Sequence, residues 1–408
     1  MGDFGWPPGF MSRQKSSQRH FGDVGTMQLL YRPLDQDTIN NPYPIYDRLR
    51  IEEPVFWHDQ TNSWVLSRYQ DCRFVLNTHE LFARDRRRVG MRLPTNQDNL
   101  QVQDPPIHTE FRNVLSSAFR KQDLTLLVSA ARAKLEANVL QRMHQAPFDF
   151  MSEVATEVAL DISLQLIGAV GSRPLNYHFI FEEIAKQMDS AIDPGRRGGT
   201  AATSALRSLM QAWMATPTTA GLIGALREVA SPKFENDYIT NTMCGVFNAC
   251  YSTLYALTGS VLLAALTNRN LIQLHSNVAT DVAAKEFIRY ISPAQGATRY
   301  AVAPVEIGNK TIQRGDCVII LFAAANRDPE TFHMPEKLVL DRSPNPHLGF
   351  GSGSHFCIGA AVASLWVREL LSFIQDKHER LALFGNHTYM NLATLRCLQN
   401  LQVRLSTG

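Results

Sequence analysis

The chain has 408 residues, of which 45% are hydrophobic and 19% charged, ordinary globular values that allow a sizeable core. Lys plus Arg (40) nearly offset Asp plus Glu (38), and a net charge of +2 gives no electrostatic case for a nucleic-acid or membrane-surface partner. The six cysteines show no CxxC or zinc-ribbon spacing, which argues against a disulfide framework or a cysteine zinc site and fits a reducing, cytoplasmic setting.

Taken in chain order, residues 1–39 read as a loosely structured leader, polar and broken by Pro and Gly, with no apolar signal-peptide core. Gly2 invites a myristoylation reading, but Trp6 stands where Ser or Thr is needed. Residues 40–408 then form one domain. PYPIYDRLR (42–50) predicts a short helix, and VFWHDQTNSWVLSRY (55–69) predicts two strands around a polar turn. The run RDRRR (84–88) reads as a solvated charged face. Residues 107 to 230 are mostly helical in pattern, interrupted at Gly168–Pro174 and at DPGRRGGT (193–200). The second interruption lacks the GK[ST] of a phosphate cradle and reads as a mobile surface loop.

A proline-free helix is predicted over Asn236–Leu266 and another over Asp281–Ile291, stopped by Ser292-Pro293. The longest apolar runs, such as Val261–Leu266, are too short to cross a bilayer, so no membrane anchor is expected. VEIGNKTI (305–312) and CVIILF (317–322) read as strands, the first pair turning at Gly308-Asn309. A last helix is predicted from near Cys357, and LQVRLS (401–406) returns to strand-like alternation. The class is mainly α with small β-sheets.

FGSGSHFCIGAA (350–361) sets one thiol in a glycine-rich turn. Gly351 and Gly353 permit positive φ, and a turn of that kind aims backbone N–H groups at one atom. Cys357, placed where the last helix begins, gains from the helix N-terminus, which favours a thiolate. Gly359 clears a side chain where something flat can approach. A cradled thiolate beside a cleared face suits a haem iron.

The pattern FGxGxHxCxGxxxA, matched by Phe350, Gly351, Gly353, His355, Cys357, Gly359 and Ala363, resembles the haem-binding signature of cytochrome P-450, the haem-thiolate monooxygenases. Glu286-Phe-Ile-Arg289 resembles the family's ExxR pair, and residues three apart share a helix face. AAANRDPETF (323–332) and Asp341-Arg342 resemble the region that supplies a second arginine. DPPIHTEFR (104–112) resembles the DPPxHxxxR helix.

The resemblance spans about residues 40 to 406. It implies the family's fold, with haem b (iron protoporphyrin IX) held between the long distal helix and the cysteine loop. It implies Cys357 as the iron ligand, and His108, Arg112, Arg299 and His355 as propionate ligands. Glu286, Arg289 and Arg342 are implied as a structural ion-pair cluster. It also implies a small or medium apolar or aromatic substrate from specialised metabolism, dioxygen, and electrons from NAD(P)H through a separate ferredoxin- or flavodoxin-type partner. Arg112, Arg120 and Lys121 are expected on the face that partner meets.

One segment departs from the family. Where AGxET or AGxDT is usual, this chain has NACYST: Asn248, Ala249, Cys250, Tyr251, Ser252 and Thr253. Tyr251 stands for the acid and Ser252 for the threonine, with Thr253 one register away. No Asp or Glu occurs from Cys244 to Arg269. Either Ser252 or Thr253 handles oxygen-side hydrogen bonding while water or substrate completes the proton path, or the chemistry is atypical (coupling, rearrangement or peroxide use). A non-catalytic haem sensor is the third reading. Asn248 and Tyr251 either contact substrate or, for Tyr251, pack between helices.

Overall fold

A computed structural model describes residues 31–142, 147–171, 174, 176–189, 196, 199–229, 234–268, 280–377 and 380–405. Most of DPGRRGGT (193–200) therefore lies outside the described residues, and the loop reading made for it with it. The part of the leader that is described is packed. Tyr31 is buried, and a short helix α1 (Gln36–Asn40) buries Thr38 and Ile39.

The chain continues through α2 (Tyr43–Glu52), β1 (Val55–His58), β2 (Ser63–Leu66), α3 (Tyr69–Asn77) and β3 (Phe82–Ala83). The helical half comprises α4 (Ile107–Arg120), α5 (Leu124–Leu140), β4 (Phe148–Asp149), α6 (Thr156–Ile167), α7 (Tyr177–Met188), α8 (Thr200–Ala215) and α9 (Gly221–Val229). Then come α10 (Asn236–Thr267), α11 (Thr280–Ile291), β5 (Gly296–Ala301), β6 (Val305–Ile307), β7 (Lys310–Ile312), β8 (Cys317–Leu321) and α12 (Phe322–Ala325). The last helix is α13 (Ala360–Lys377), followed by β9 (Leu381–Leu383), β10 (Thr388–Tyr389), β11 (Leu398–Asn400) and β12 (Gln402–Leu405).

Helix α10 is the axis of the molecule. It runs 32 residues with Asp237 as its only charged side chain, so nothing in its sequence calls it to the surface. By length and composition it could cross a membrane, but 72% of its apolar window is buried against other elements of this chain, as in the core helix of a globular domain. Helices α6, α8 and α13 pack around it. Two fits fix its depth. Gly259 leaves room for the Met151 thioether, and the Trp366 indole N–H of α13 donates to the Thr258 hydroxyl at 2.9 Å.

Five strands in the order β1-β2-β8-β5-β3 form the main sheet. β2 and β8 pair in parallel, Ser63 opposite Cys317, whereas the other pairings are antiparallel. The β6–β7 hairpin turns at Gly308-Asn309, with Gly308 at φ +60°, the left-handed backbone its two-residue loop requires. None of the six cysteines is in a disulfide.

Two differences from the sequence reading concern the site. Helix α13 begins at Ala360, three residues after the thiol, because the Cys357 N–H is taken by the Phe350 carbonyl at 2.9 Å and closes the loop instead of opening the helix. Gly359 accordingly precedes the helix. The arginines of 84–88 are not a solvated face. Arg87 pairs with Asp85 and Asp98, Arg88 with Asp104, and Arg84 bonds to the Gln101 and Thr298 carbonyls. Carboxylates a few residues away fold the run onto the protein.

Candidate functional site

The cysteine turn is shaped by two glycines. Gly351 (φ +68°) reverses the chain while its N–H donates to the Leu348 carbonyl at 2.8 Å. Gly353 (φ +71°) sits so close to the C-terminus of α3 that a Cβ there would lie 2.4 Å from the Leu76 carbonyl oxygen. The Cys357 side chain is reachable from solvent yet set deep among neighbouring atoms. Burial pushes its thiol up, and the Gly359 N–H and the Arg112 guanidinium pull it down. A Cβ on Gly359 would stand 3.9 Å from Sγ, so this face is kept low beside the sulfur.

Behind the turn lies a fully buried ion-pair knot. Glu286 receives Arg289 Nε and Nη2 at 2.8 Å each, Arg342 Nε at 2.9 Å, the Val339 N–H at 2.8 Å and Asn345 Nδ2 at 3.2 Å. Arg289 spends its remaining donors on the carbonyls of Asn326, Pro335 and Lys337. Asn326 Oδ1 in turn accepts the Leu348 N–H at 2.6 Å, and Leu348 accepts from Gly351. The knot therefore reaches the cysteine turn through three hydrogen bonds, Arg289 to Asn326, Leu348 to Asn326 and Gly351 to Leu348.

Three of the four expected propionate ligands converge. His108, on the buried stripe of α4 (His108, Phe111, Leu115, Ala118, Phe119), brings its ring within 4.2 Å of His355, centroid to centroid. Arg299 of β5 is buried and, among the described residues, donates to the adjacent Thr298 carbonyl. Arg112 differs in its visible bond, which goes to the Phe356 carbonyl on the cysteine side.

Burial, with His355, Arg112 and Arg299 nearby, holds His108 down to about 4, and burial beside Arg84 lowers Arg299 to about 9. Both nitrogens of His108 and Nε2 of His355 are buried without a hydrogen-bond partner among the described residues. His355 Nε2 comes no closer than 3.7 Å to Asp104. Buried donors without acceptors beside crowded cations are a receptor for carboxylates. That donor set, with the thiol and its cleared face, fits a haem.

Asp104 was missed as a functional residue. Its own burial opposes ionisation, but N–H groups of Arg84 and Asp85, the Arg88 guanidinium and the nearby His355 outweigh it and lower the carboxyl to about 2. It pins the 84–88 segment beside His108, Arg299 and His355. Its place at the head of DPPIH was the available signal.

On α10, Ser252 and Thr253 both turn to the Ala249 carbonyl, at 3.4 and 2.8 Å. Tyr251 is fully buried, and its ring packs among Tyr177, Phe181 and Tyr255. Its hydroxyl donates to His178 Nδ1 at 2.9 Å in the Nε2–H tautomer, which leaves His178 Nε2 3.5 Å from Glu182. Burial raises the phenol's pKa and lowers that of His178, the latter opposed by Glu182. One turn away, the Tyr177 hydroxyl donates to Asn248 Oδ1 at 3.2 Å. Consecutive residues of α7 thus clasp α10 at two points. Tyr177 and His178 carried no sequence signal, since their partners lie more than 70 positions on.

Comparisons with known proteins agree with this geometry. The family profile described as Cytochrome P450 matches residues 278–374, the stretch that holds the ion-pair knot and the cysteine turn. Cytochrome P450 109 of Bacillus spizizenii is 30% identical over 349 residues, covering 81% of this chain and 83% of that protein. Steroid C26-monooxygenase of Rhodococcus jostii is 24% identical over 395 residues, covering 90% and 82%. Among solved structures, the polyketide-synthase cytochrome P450 PksS of Bacillus subtilis superposes with a TM-score of 0.80 at 25% identity, covering 92% of this chain and all of that one. A thiol so placed, a carboxylate receptor beside it and relatives matching along most of the chain leave one conclusion: this protein belongs to the cytochrome P450 family of haem-thiolate oxidoreductases.

Proposed function

We propose that the protein is a monooxygenase that oxidises a small or medium apolar molecule of specialised metabolism, using dioxygen and electrons that originate in NAD(P)H. The observation that carries this reading is the pairing of the cysteine turn with the unpartnered His108 and His355 nitrogens. Cys357 would hold haem iron, and His108, Arg299 and His355 would take the propionates, with Arg112 bracing the loop at the Phe356 carbonyl. When bound, the haem supplies the oxidising chemistry, and a thiolate ligand favours O–O cleavage.

The chain's own part is to exclude water, orient the substrate and manage protons. Ser252 and Thr253 keep hydroxyl groups at the Ala249 carbonyl, on the segment that faces the oxygen side in this family. Tyr251 is committed to His178 and acts as a packing and clasping group rather than a proton donor. Incorporation of labelled dioxygen into product, driven by a reduced partner protein, tests the reading. Ser252→Ala and Thr253→Val are expected to divert electrons to peroxide. Full coupling in the double variant would overturn the hydroxyl roles.

A second reading, peroxide-driven or coupling chemistry, draws on the same segment, because Tyr251 stands where the family usually has a carboxylate and its phenol faces α7. Faster turnover with peroxide than with partner and dioxygen would favour it.

In this reading a ferredoxin- or flavodoxin-type electron donor would dock on the cysteine side, where Arg112 bonds to the Phe356 carbonyl. Lys121 is offset by Glu228 at 2.5 Å, which leaves Arg120 as the freer charge at the end of α4. Arg120→Glu is expected to slow electron transfer and flatten its salt dependence. An unchanged rate and slope would remove the partner from this face. Six unbridged thiols agree with a cytoplasmic setting.

A further inference from the structure

We propose that Arg84 is a further propionate ligand, binding the same carboxylate as Arg299. This rests on the reading that haem is the group that Arg299 and the buried histidines receive.

The end of β3 brings the two arginines together. Phe82 faces Ala301 and Ala83 faces Tyr300, and there the ladder stops. The next two N–H groups, of Arg84 and Asp85, both donate to the Asp104 carboxylate, at 3.0 and 3.1 Å. The Thr298 carbonyl is left for side chains, and it accepts Arg84 Nη1 at 3.0 Å and Arg299 Nη1 at 2.8 Å. Two guanidinium groups thus meet at one oxygen, beside the buried Arg299 side chain. A second route leads to the same cluster. The Asp104 oxygen that takes the Arg84 N–H lies 3.7 Å from His355 Nε2, and the His355 ring lies against His108.

Charge separates Arg84 from its neighbours in RDRRR. Arg87 pairs with Asp85 and Asp98, and Arg88 with Asp104. Among the described residues no carboxylate pairs with the side chain of Arg84 or Arg299, and none accepts from Nη2 of either. Arg84 is nevertheless fixed, by Nε on the Gln101 carbonyl at 2.9 Å and by Nη1 on the Thr298 hydroxyl at 3.2 Å. Two cations held this close in a buried place repel each other until an anion joins them. A carboxylate does so by accepting from both, in strong charge-assisted bonds. Arg112, the other guanidinium expected here, gives its visible bond to the Phe356 carbonyl.

The test compares haem with haem dimethyl ester, whose propionates carry no charge, each reconstituted into the protein and released into excess apomyoglobin. Arg84→Gln is expected to speed release of haem about tenfold and release of the ester less than about twofold. The same variant is expected to lower the reduction potential, because a positive charge beside the ferric group is gone, whereas Arg84→Lys keeps the wild-type potential. Arg87→Gln loosens the same segment without touching the cluster, and is expected to change neither release nor potential.

Because the effect is read as a ratio between two haems, general loosening of the segment cancels. Equal acceleration for both haems in Arg84→Gln, an unchanged release of haem, or the same effects in Arg87→Gln overturns the proposal. If the reduced, carbon-monoxide-treated wild type shows its red-displaced Soret band in those cases, the parent reading stands and this inference alone falls. Absence of that band sinks the parent reading itself.

Discussion

The two sides of the reaction space are built by different means. On the cysteine side, charged side chains bond to backbone: Arg289 and Arg342 between them reach the carbonyls of Asn326, His333, Met334, Pro335 and Lys337. On the distal side, rings pack against rings, and side chains bond to side chains at two points, Tyr177–Asn248 and His178–Tyr251. A backbone-bonded knot fixes the path of the chain and tolerates little. A clasp of side chains fixes only the relation between two helices and can be rebuilt with other residues.

The largest expected effect comes from breaking the knot. Glu286→Gln keeps the shape but leaves two buried guanidinium groups without a counter-charge. It should cost about 3–5 kcal/mol and prevent haem retention. Urea unfolding and the haem-to-protein ratio measure it. A stable, haem-loaded variant would show that the carbonyls alone hold the arginines.

A smaller effect is written into the pH dependence of the same region. His347 accepts the Gly349 N–H through Nδ1 at 3.2 Å. Burial, then Arg289, lowers it from 6.5 to about 4. Between those values the unfolded chain binds a proton that the folded chain does not. The stability contribution is therefore complete well above pH 6.5 and is lost as pH falls toward 4, by about 3 kcal/mol for a difference of about 2.5 pKa units at about 1.4 kcal/mol each. His347→Asn should remove that part of the slope in unfolding curves recorded from pH 7 to 4.5. An unaltered slope would assign the pH dependence elsewhere.

The smallest effect belongs to the distal clasp. Tyr251→Phe removes one hydrogen bond to a half-exposed histidine and leaves the ring packing intact, so about 1 kcal/mol is expected, with haem retained. A loss of 3 kcal/mol or more, seen in the urea midpoint, would erase the contrast between the two sides.

The same contrast explains what the sequence disclosed. Cys357, Gly351, Gly353, Glu286 and Arg289 are bound to specific backbone geometry over short spacings, and such geometry leaves a pattern that can be read in one chain. The helix boundaries of α10 and α11 and the β6–β7 turn were legible for the same local reasons. The start of α13 was not, because a hydrogen bond from Cys357 back to Phe350 delays it. Nor were the folding-back of Arg87 and Arg88 or the partner of Tyr251, since charge runs and lone aromatics carry no mark of what they meet. The departure at Tyr251 was visible, but its meaning lay on another helix, at His178.

The parallel pairing of β2 with β8 has a consequence for synthesis. Residues 63–66 wait for residues 317–320, about 250 positions later, before that ladder can close. At roughly 5–20 residues per second, the ribosome leaves the β1–β2 hairpin with one bare edge for about 12–50 s. Trp64, Val65 and Leu66, all sealed in the finished sheet, spend that interval without their neighbour. Closing a loop of that length then carries an entropic cost of about 5 kcal/mol. The nascent hairpin is accordingly the segment of this protein that most needs a chaperone's shelter.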